Sequence, residues 1–254
     1  MITWVENAEI MMNKVLTPSI YQMVCKAPRI AAIAKPGQFV NVKYMAGSTF
    51  LRRPFGIANA DPTTGTITIM YRVVGQGTNE MKTLLPTSVI SVEGPLGKGV
   101  FSIGREHSLL IGGGMGAAPL LFLAKKIKHP IVLISAKNKE ETFWTHLFSA
   151  YTDIIYTTTD DGSVGIHGFA TAALPFIFKQ HTVGHIAVCG PTPMMQAVAR
   201  EAMLHNIDCE VSLEKRMACG FGVCLGCTFT GKVAGIRYKV CSDGPVFSSR
   251  EVFL

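Results

Sequence analysis

The sequence predicts an α/β plus all-β protein in three parts. These are an N-terminal antiparallel β-barrel over residues 1–102, a central doubly wound parallel-sheet domain over 103–211, and a small cysteine-bearing domain over 212–254. Three observations predict it. Short runs that alternate apolar and polar residues, cut by glycine and proline, fill the first hundred positions. From about Ile103 to Val211, apolar runs alternate with helix-like stretches. Beyond that, four cysteines stand at a spacing suited to metal ligation.

In the first part, Gln38 to Tyr44, Thr66 to Val74 and Ser88 to Gly94 alternate with the two-residue period of a strand. Pro36-Gly37, Asp61-Pro62, Thr64-Gly65 and Gly94-Pro95 supply the turns, and strands at this spacing suit a small barrel. Two stretches carry chemistry. In Arg52-Arg53-Pro54-Phe55-Gly56, an arginine at a strand end precedes a proline-fixed extended turn and an aromatic ring. Such a group can clamp a phosphate and lay a ring beside a flat cofactor. In Tyr71-Arg72-Val73-Val74-Gly75-Gln76-Gly77-Thr78, a glycine-rich turn before a short helix exposes backbone N–H groups to a pyrophosphate. Each alone also fits an ordinary turn with a surface arginine. As a pair on one barrel they point to a flavin nucleotide.

In the second part, Ser108 to Ile111 reads as a buried strand, Gly112-Gly113-Gly114-Met115-Gly116-Ala117 as its turn, and Leu120 to Ala124 as part of the helix after it. Further strands are expected at Ile131 to Ile134, Asp153 to Thr157 and His185 to Val188. Helices are expected around Glu140 to Ala150, after Gly168, and from Pro193 to His205. Gly112-x-Gly114-x-x-Ala117 in this context fits a dinucleotide turn, although glycines can also serve tight packing. The acid expected about 20 residues on is replaced by Ser135-Ala136-Lys137-Asn138-Lys139, so charge does not separate NAD from NADP. Thr159-Asp160-Asp161-Gly162-Ser163 and Cys189-Gly190-Pro191 fall at strand ends where nicotinamide and ribose belong. Cys189 reads equally as a small buried residue.

In the third part, Cys219, Cys224 and Cys227 stand as C-x4-C-x2-C, with Cys241 further on. That is the plant-type spacing of a 2Fe–2S cluster held by four thiolates. Gly220, Gly222 and Gly226 between them allow positive φ and let amide N–H groups approach sulfur. Structural zinc usually takes two CxxC pairs, and only Cys224 and Cys227 make one. A redox dithiol would leave Cys219 and Cys241 idle, and a disulfide framework suits short secreted chains. Lys215, Arg216, Lys232, Arg237 and Lys239 would stabilise a reduced cluster; Phe221, Val223 and Leu225 could pack inward, but at least one is expected to face a partner.

The chain has 254 residues, 48 % hydrophobic and 16 % charged, which favours packed cores over disorder. Its net charge of +7 is spread without a basic run, suiting anionic cofactors more than nucleic acid. No apolar run reaches the roughly 20 residues of a membrane span. The start carries no signal-peptide pattern, and seven cysteines then suggest a reducing, cytoplasmic setting. The seven histidines show no metal-ligand spacing.

The barrel motifs, the glycine turn and Cys-Gly-Pro together resemble the ferredoxin–NADP reductase superfamily. Ser212 through Cys227, with Gly94-Pro95-Leu96-Gly97-Lys98-Gly99 and Thr159 to Ser163, resembles the electron-transfer subunits of type B dihydroorotate dehydrogenase over essentially the whole chain. The resemblance implies FAD, a 2Fe–2S cluster and NAD+ as electron acceptor. It also implies an FMN-containing catalytic subunit that oxidises dihydroorotate in pyrimidine biosynthesis, two of each chain forming a heterotetramer. It implies that Arg53, Pro54, Phe55 and Gly56, with Met70, Tyr71 and Arg72, line the flavin, and that Gly77 and Thr78 hold its pyrophosphate. Gly112, Gly113, Gly114, Gly116 and Cys189 would take the nicotinamide dinucleotide, and Cys219, Cys224, Cys227 and Cys241 the cluster. An NAD(P)H-dependent reductase subunit for a hydrogenase or oxygenase is the alternative. At Gly56 the family usually has Ser or Thr, so only the backbone N–H is expected to meet the flavin edge, with a shifted potential.

Overall fold

The computed structural model describes residues 2–233 and 235–254. The chain divides into two compact units. The first comprises 1–100, 214–228 and 239–245. The second comprises 101–213, 229–238 and 246–254.

The first unit is a six-stranded antiparallel barrel. Its strands are β1 (Trp4–Thr17), β2 (Ile20–Lys26), β3 (Phe39–Lys43), β4 (Arg53–Asp61), β5 (Thr66–Arg72) and β6 (Val89–Leu96), closed in the order β1-β2-β5-β4-β3-β6. Closure gives every strand a neighbour on each side, although β4 and β5 pair along only part of their length. Inward Ala8, Ile10, Met23, Val40, Val42, Ile57, Ile69, Ile90 and Val92 are buried and fill the interior. The short helix α1 (Pro28–Ile33) packs Ile30 and Ala31 against β4 and β5. Its first N–H groups are capped from β1, where the Glu6 carboxylate accepts from Arg29 N at 3.2 Å and Ile30 N at 2.9 Å. Helix α2 (Gln76–Lys82) follows β5.

The second unit carries a seven-stranded sheet. Strands β7 (Ser108–Gly113), β8 (Ile131–Ala136), β9 (Ile155–Thr159), β10 (Ile166–His167), β11 (His185–Cys189), β12 (Asp208–Ser212) and β15 (Val246–Ser248) lie in the order β10-β9-β8-β7-β11-β12-β15. All pair in parallel except β15, which runs antiparallel to β12. β7, β8 and β11 are buried throughout, as strands covered on both faces are. Helix α3 (Ala117–Ala124) is apolar and buried all round. The helix expected around Glu140 to Ala150 is a 3₁₀ turn, Lys139–Phe143, running into α4 (Trp144–Phe148). Helix α5 is Leu174–Gln180. Helix α6 (Thr192–Leu204) buries Met195, Val198, Ala199 and Ala202, one stripe at helical spacing.

Beyond residue 213 the chain passes between the units. β13 (Thr228–Thr230) and β14 (Arg237–Lys239) form a two-stranded ribbon, and α7 (Ser249–Val252) follows β15. In the second unit Phe229, Tyr238 and Phe247 meet at centroid distances of 5.4 to 5.5 Å. Among the described residues no helix is long and apolar enough to cross a membrane.

Candidate functional site: a split barrel seam, a cysteine loop and a glycine crevice

The barrel opens where the two sequence motifs lie. The β4–β5 ladder ends at Ile57↔Ile69. Arg53 to Gly56 pair only with β3, while Met70, Tyr71 and Arg72 pair with β2. Pro54, which has no N–H, therefore sits where its strand has one partner. The motifs face each other across this seam, with the Phe55 and Tyr71 rings 5.9 Å apart and Tyr21 stacked on Tyr71 at 5.6 Å. Tyr71 is 1 % exposed, and its hydroxyl donates to Asn13 Oδ1 at 2.9 Å. Burial holds that phenol well above its ordinary pKa, so it stays neutral. Asn13 in turn donates to the carbonyls of Met81 and Leu84, both at 2.9 Å, fixing the end of α2; nothing in the sequence marked that role.

The two arginines part company. Arg52 is tied into the barrel wall: it donates to Ser91 O at 3.1 Å and Ser91 Oγ at 2.9 Å, and stands 3.7 Å from Glu93. Arg53 lies against the start of α2, where a β-carbon on Gly77 would come within 2.5 Å of its Nε. Thr78 Oγ1 accepts from Val74 N at 3.0 Å and Gly75 N at 3.2 Å, and donates to Gly75 O at 2.9 Å. Its hydroxyl thus shapes the turn. Val74 N and Gly75 N are therefore taken, and Arg53 Nη1 donates to Leu51 O.

The four thiols all belong to this same unit. Cys227 and Cys241 are buried with their sulfurs 3.1 Å apart. Cys219 and the exposed Cys224 form a second pair, Cys224 N donating to Cys219 Sγ at 3.4 Å. Gly226 N reaches Cys224 Sγ at 3.5 Å, and Cys241 N reaches Cys227 Sγ at 3.4 Å. Gly220 and Gly222 take φ of 81° and 90°, while the third left-handed position is Leu225 at 60° rather than Gly226. Burial pushes the Cys219 thiol up, but N–H groups of Cys224, Phe221 and Val223 outweigh it and bring the pKa down to about 6. Burial and the neighbouring Cys227 push Cys241 up to about 12. Two thiol pairs with N–H···S bonds fit a two-iron cluster. Among the described residues no three ligating side chains already converge on a common point.

Both cysteine segments are fastened to the barrel. Gly99 N donates to Gly244 O at 2.9 Å beside the Gly99↔Pro245 bridge, and a β-carbon on Gly97 would lie 2.5 Å from Pro245 Cδ. This explains Gly97 and Gly99 as the seat of the Cys241 segment, whereas Gly94 serves packing on Val40. At the other end, Asn41 on β3 donates to Cys219 O at 3.3 Å, and Asn41 registers directly opposite Pro54. The cysteine loop and the seam thus share adjacent strands. Phe221, Val223 and Leu225 are exposed.

In the second unit, β7 has β8 on one side and β11 on the other, the strand-order reversal at which open parallel sheets bind ligands. Most glycines there serve packing. A β-carbon on Gly112 would lie 2.8 Å from Ala117 Cβ, one on Gly113 2.7 Å from Met194 Sδ, and one on Gly116 2.5 Å from the Cys189 carbonyl carbon. Gly114 differs: φ is 54° and the space beside it is open. Cys189 is buried, with its thiol toward Ser212 O at 3.7 Å. β8 ends at Ala136, and Asn138 beyond it accepts from Glu141 N at 3.2 Å. Asp161 accepts from Ser163 N at 2.9 Å in the loop after β9, and this partner holds its carboxyl below the ordinary range.

Residues 214–253 match the family described as the iron-sulfur cluster binding domain of dihydroorotate dehydrogenase B. The dihydroorotate dehydrogenase B (NAD(+)) electron transfer subunit of Caldanaerobacter subterraneus is 35 % identical, covering 98 % of each chain. That of Fusobacterium nucleatum is 34 % identical at the same coverage. A solved NADH-dependent reduced ferredoxin-NADP oxidoreductase superposes with a TM-score of 0.85 at 29 % identity, covering 97 % of this chain and 90 % of that one. A ferredoxin NADP+ reductase from Neisseria gonorrhoeae, with bound FAD and NADP, shares the fold at a TM-score of 0.62 and 16 % identity, covering 79 % of this chain and 91 % of that one. The chain belongs to the family of dihydroorotate dehydrogenase B electron transfer subunits.

Proposed function

We propose that this chain is the electron-transfer subunit of an NAD+-dependent dihydroorotate dehydrogenase. It would pass electrons from a catalytic subunit's FMN, by way of a 2Fe–2S cluster and FAD, to NAD+. When bound, a 2Fe–2S cluster exchanges single electrons, FAD exchanges one or two, and NAD+ accepts a hydride. The chain's residues supply placement. Arg53 and the backbone N–H groups of Gly77 and Thr78 hold the flavin's phosphates. Phe55, Gly56 and the Met70 to Arg72 strand line its ring across the open seam. Cys219, Cys224, Cys227 and Cys241 ligate the irons. Gly114, backed by Gly112, Gly113, Gly116 and the Cys189 loop, receives the dinucleotide. Exposed Phe221, Val223 and Leu225 form the face toward the catalytic subunit. Two of each chain would assemble, in a reducing cytoplasm that keeps the cysteines from forming disulfides.

The observation that supports this most is the seating of the cysteine loop on β3, opposite the Pro54 of the seam. The test is co-purification of the chain under anaerobic conditions. A brown complex with FAD, iron and acid-labile sulfide, forming orotate with NADH, is the expected outcome. Zinc without flavin refutes the reading. The high structural similarity to the NADH-dependent ferredoxin-NADP oxidoreductase favours one alternative, a reductase subunit for another partner. A flavin- and iron-loaded chain that captures no dihydroorotate-oxidising subunit would select it.

A further inference from the structure

Asn41 is fully buried in the barrel wall, a place where a carboxamide needs a reason. Its Nδ2 faces two acceptors, Cys219 O at 3.3 Å and Glu93 Oε2 at 3.5 Å. Its Oδ1 is buried with no partner among the described residues. Turning the amide over would set oxygen against a carbonyl and a carboxylate, so the orientation is unambiguous. Glu93 is itself held 3.7 Å from Arg52, which braces the Asn41 carbonyl (3.4 Å) and Ser91. Gly220, at φ 81°, lies directly under the amide: a β-carbon there would overlap Nδ2 and stand 3.1 Å from Cγ. A chain Arg52–Glu93–Asn41 therefore grips the peptide between Cys219 and Gly220.

We propose that Asn41 is a positioning residue for the iron–sulfur loop: its carboxamide fixes the Cys219–Gly220 peptide and so aims the following N–H groups at the Cys219 sulfur. The inference rests on the cluster reading above. Fixing the Cys219 carbonyl fixes the plane of the next peptide and the start of the turn that delivers Cys224 N to Cys219 Sγ at 3.4 Å. N–H···S bonds stabilise the more negative, reduced cluster and raise its potential. Without the carboxamide the peptide is free to rotate, those bonds lengthen, and the potential falls. Asn41 also stands opposite Pro54, so the same grip sets the loop's distance to the seam.

The experiment uses full-length chain, purified anaerobically, as wild type, Asn41→Leu and Gly220→Ala. Leucine keeps the size and removes the donor; the alanine pushes the turn off an intact Asn41. Iron, sulfide and FAD are counted first. The cluster midpoint is then measured by redox titration, the g-values by EPR, and iron loss by chelator challenge. Both variants are expected to retain FAD, shift the midpoint downward, alter the g-values, and lose iron roughly fivefold to tenfold faster, the size of one net hydrogen bond. An unchanged midpoint and EPR signature in either loaded variant overturns the proposal. Wild-type chain without iron and sulfide overturns the cluster reading instead, so the two failures are separable. If Asn41→Leu fails to fold, Gly220→Ala decides alone.

Discussion

Gly114 and Gly116 stand two residues apart in one turn, and the structure gives them opposite jobs. A methyl at Gly116 would sit 2.5 Å from the carbonyl carbon of Cys189 and 2.6 Å from Gly190 N. That backbone cannot retreat, because β11 is paired on both sides, with β7 and β12. Overpacking costs about 1–3 kcal/mol, and with no route for relief Gly116→Ala should cost about 3 kcal/mol. At roughly 2–4 °C per kcal/mol for a chain of this size, its melting temperature falls by about 6–12 °C. Gly114→Ala meets nothing, and only the left-handed φ of 54° opposes it. The cost is about 1–2 kcal/mol, or a few degrees. Its larger effect is on the ligand: a methyl holds a pyrophosphate off the turn and forfeits a charge-assisted hydrogen bond worth about 1.5–3 kcal/mol. NADH affinity, read by calorimetric titration, should weaken about tenfold or more. A folded Gly114→Ala chain that binds NADH as wild type does would refute the placement of the dinucleotide. A Gly116→Ala chain that melts unchanged would refute the packing argument.

Other outcomes follow from the same geometry. Arg53→Ala should release FAD on gel filtration while melting close to wild type as apoprotein. Arg52→Ala should lower stability, because it strips partners from Ser91 and Glu93. Cys241→Ser should abolish stoichiometric iron and sulfide, read by colorimetric assay. Glu210 is half-buried, which pushes its carboxyl up, but His185 at 3.2 Å and two bonds from Ser102 outweigh this and hold it below the ordinary range. A depressed carboxyl stabilises the fold above its unfolded pKa and loses that contribution as pH falls through the folded value. Glu210→Gln should therefore melt lower than wild type near neutral pH, with the difference shrinking in acid. A constant difference across pH would refute it.

The parts legible in the sequence were those that local chemistry dictates. The cysteine spacing, the β7–glycine–α3 turn and the strands β3, β5 and β6 each carry their signal within ten or so residues. The unread parts depend on distant partners. β1 hides its alternation behind two bulges, between Ile10 and Met12 and between Val15 and Thr17. α1 has no cap of its own and takes one from Glu6. β12 and β15 were missed because β15 pairs with β12 from across the cysteine segment. Within the site, the residue pattern alone does not separate Arg52 from Arg53, and only the family resemblance selects Arg53. What separates them is strand alternation: one side chain meets Ser91 and Glu93, the other the start of α2. Asn41 had no signal at all, since a lone asparagine in a strand gains meaning only from the loop that returns to it.

The path of the chain beyond residue 213 has a consequence for biogenesis. The ribosome completes the barrel's strands by Leu96, yet Cys219 and Cys241 emerge only after the whole parallel sheet up to β12 has been made. Assembly factors that deliver iron and sulfide would meet a nascent chain whose scaffold is already folded and whose ligands arrive in one late burst. A translational stall between Cys227 and Cys241 would leave only three of the four sulfurs synthesised.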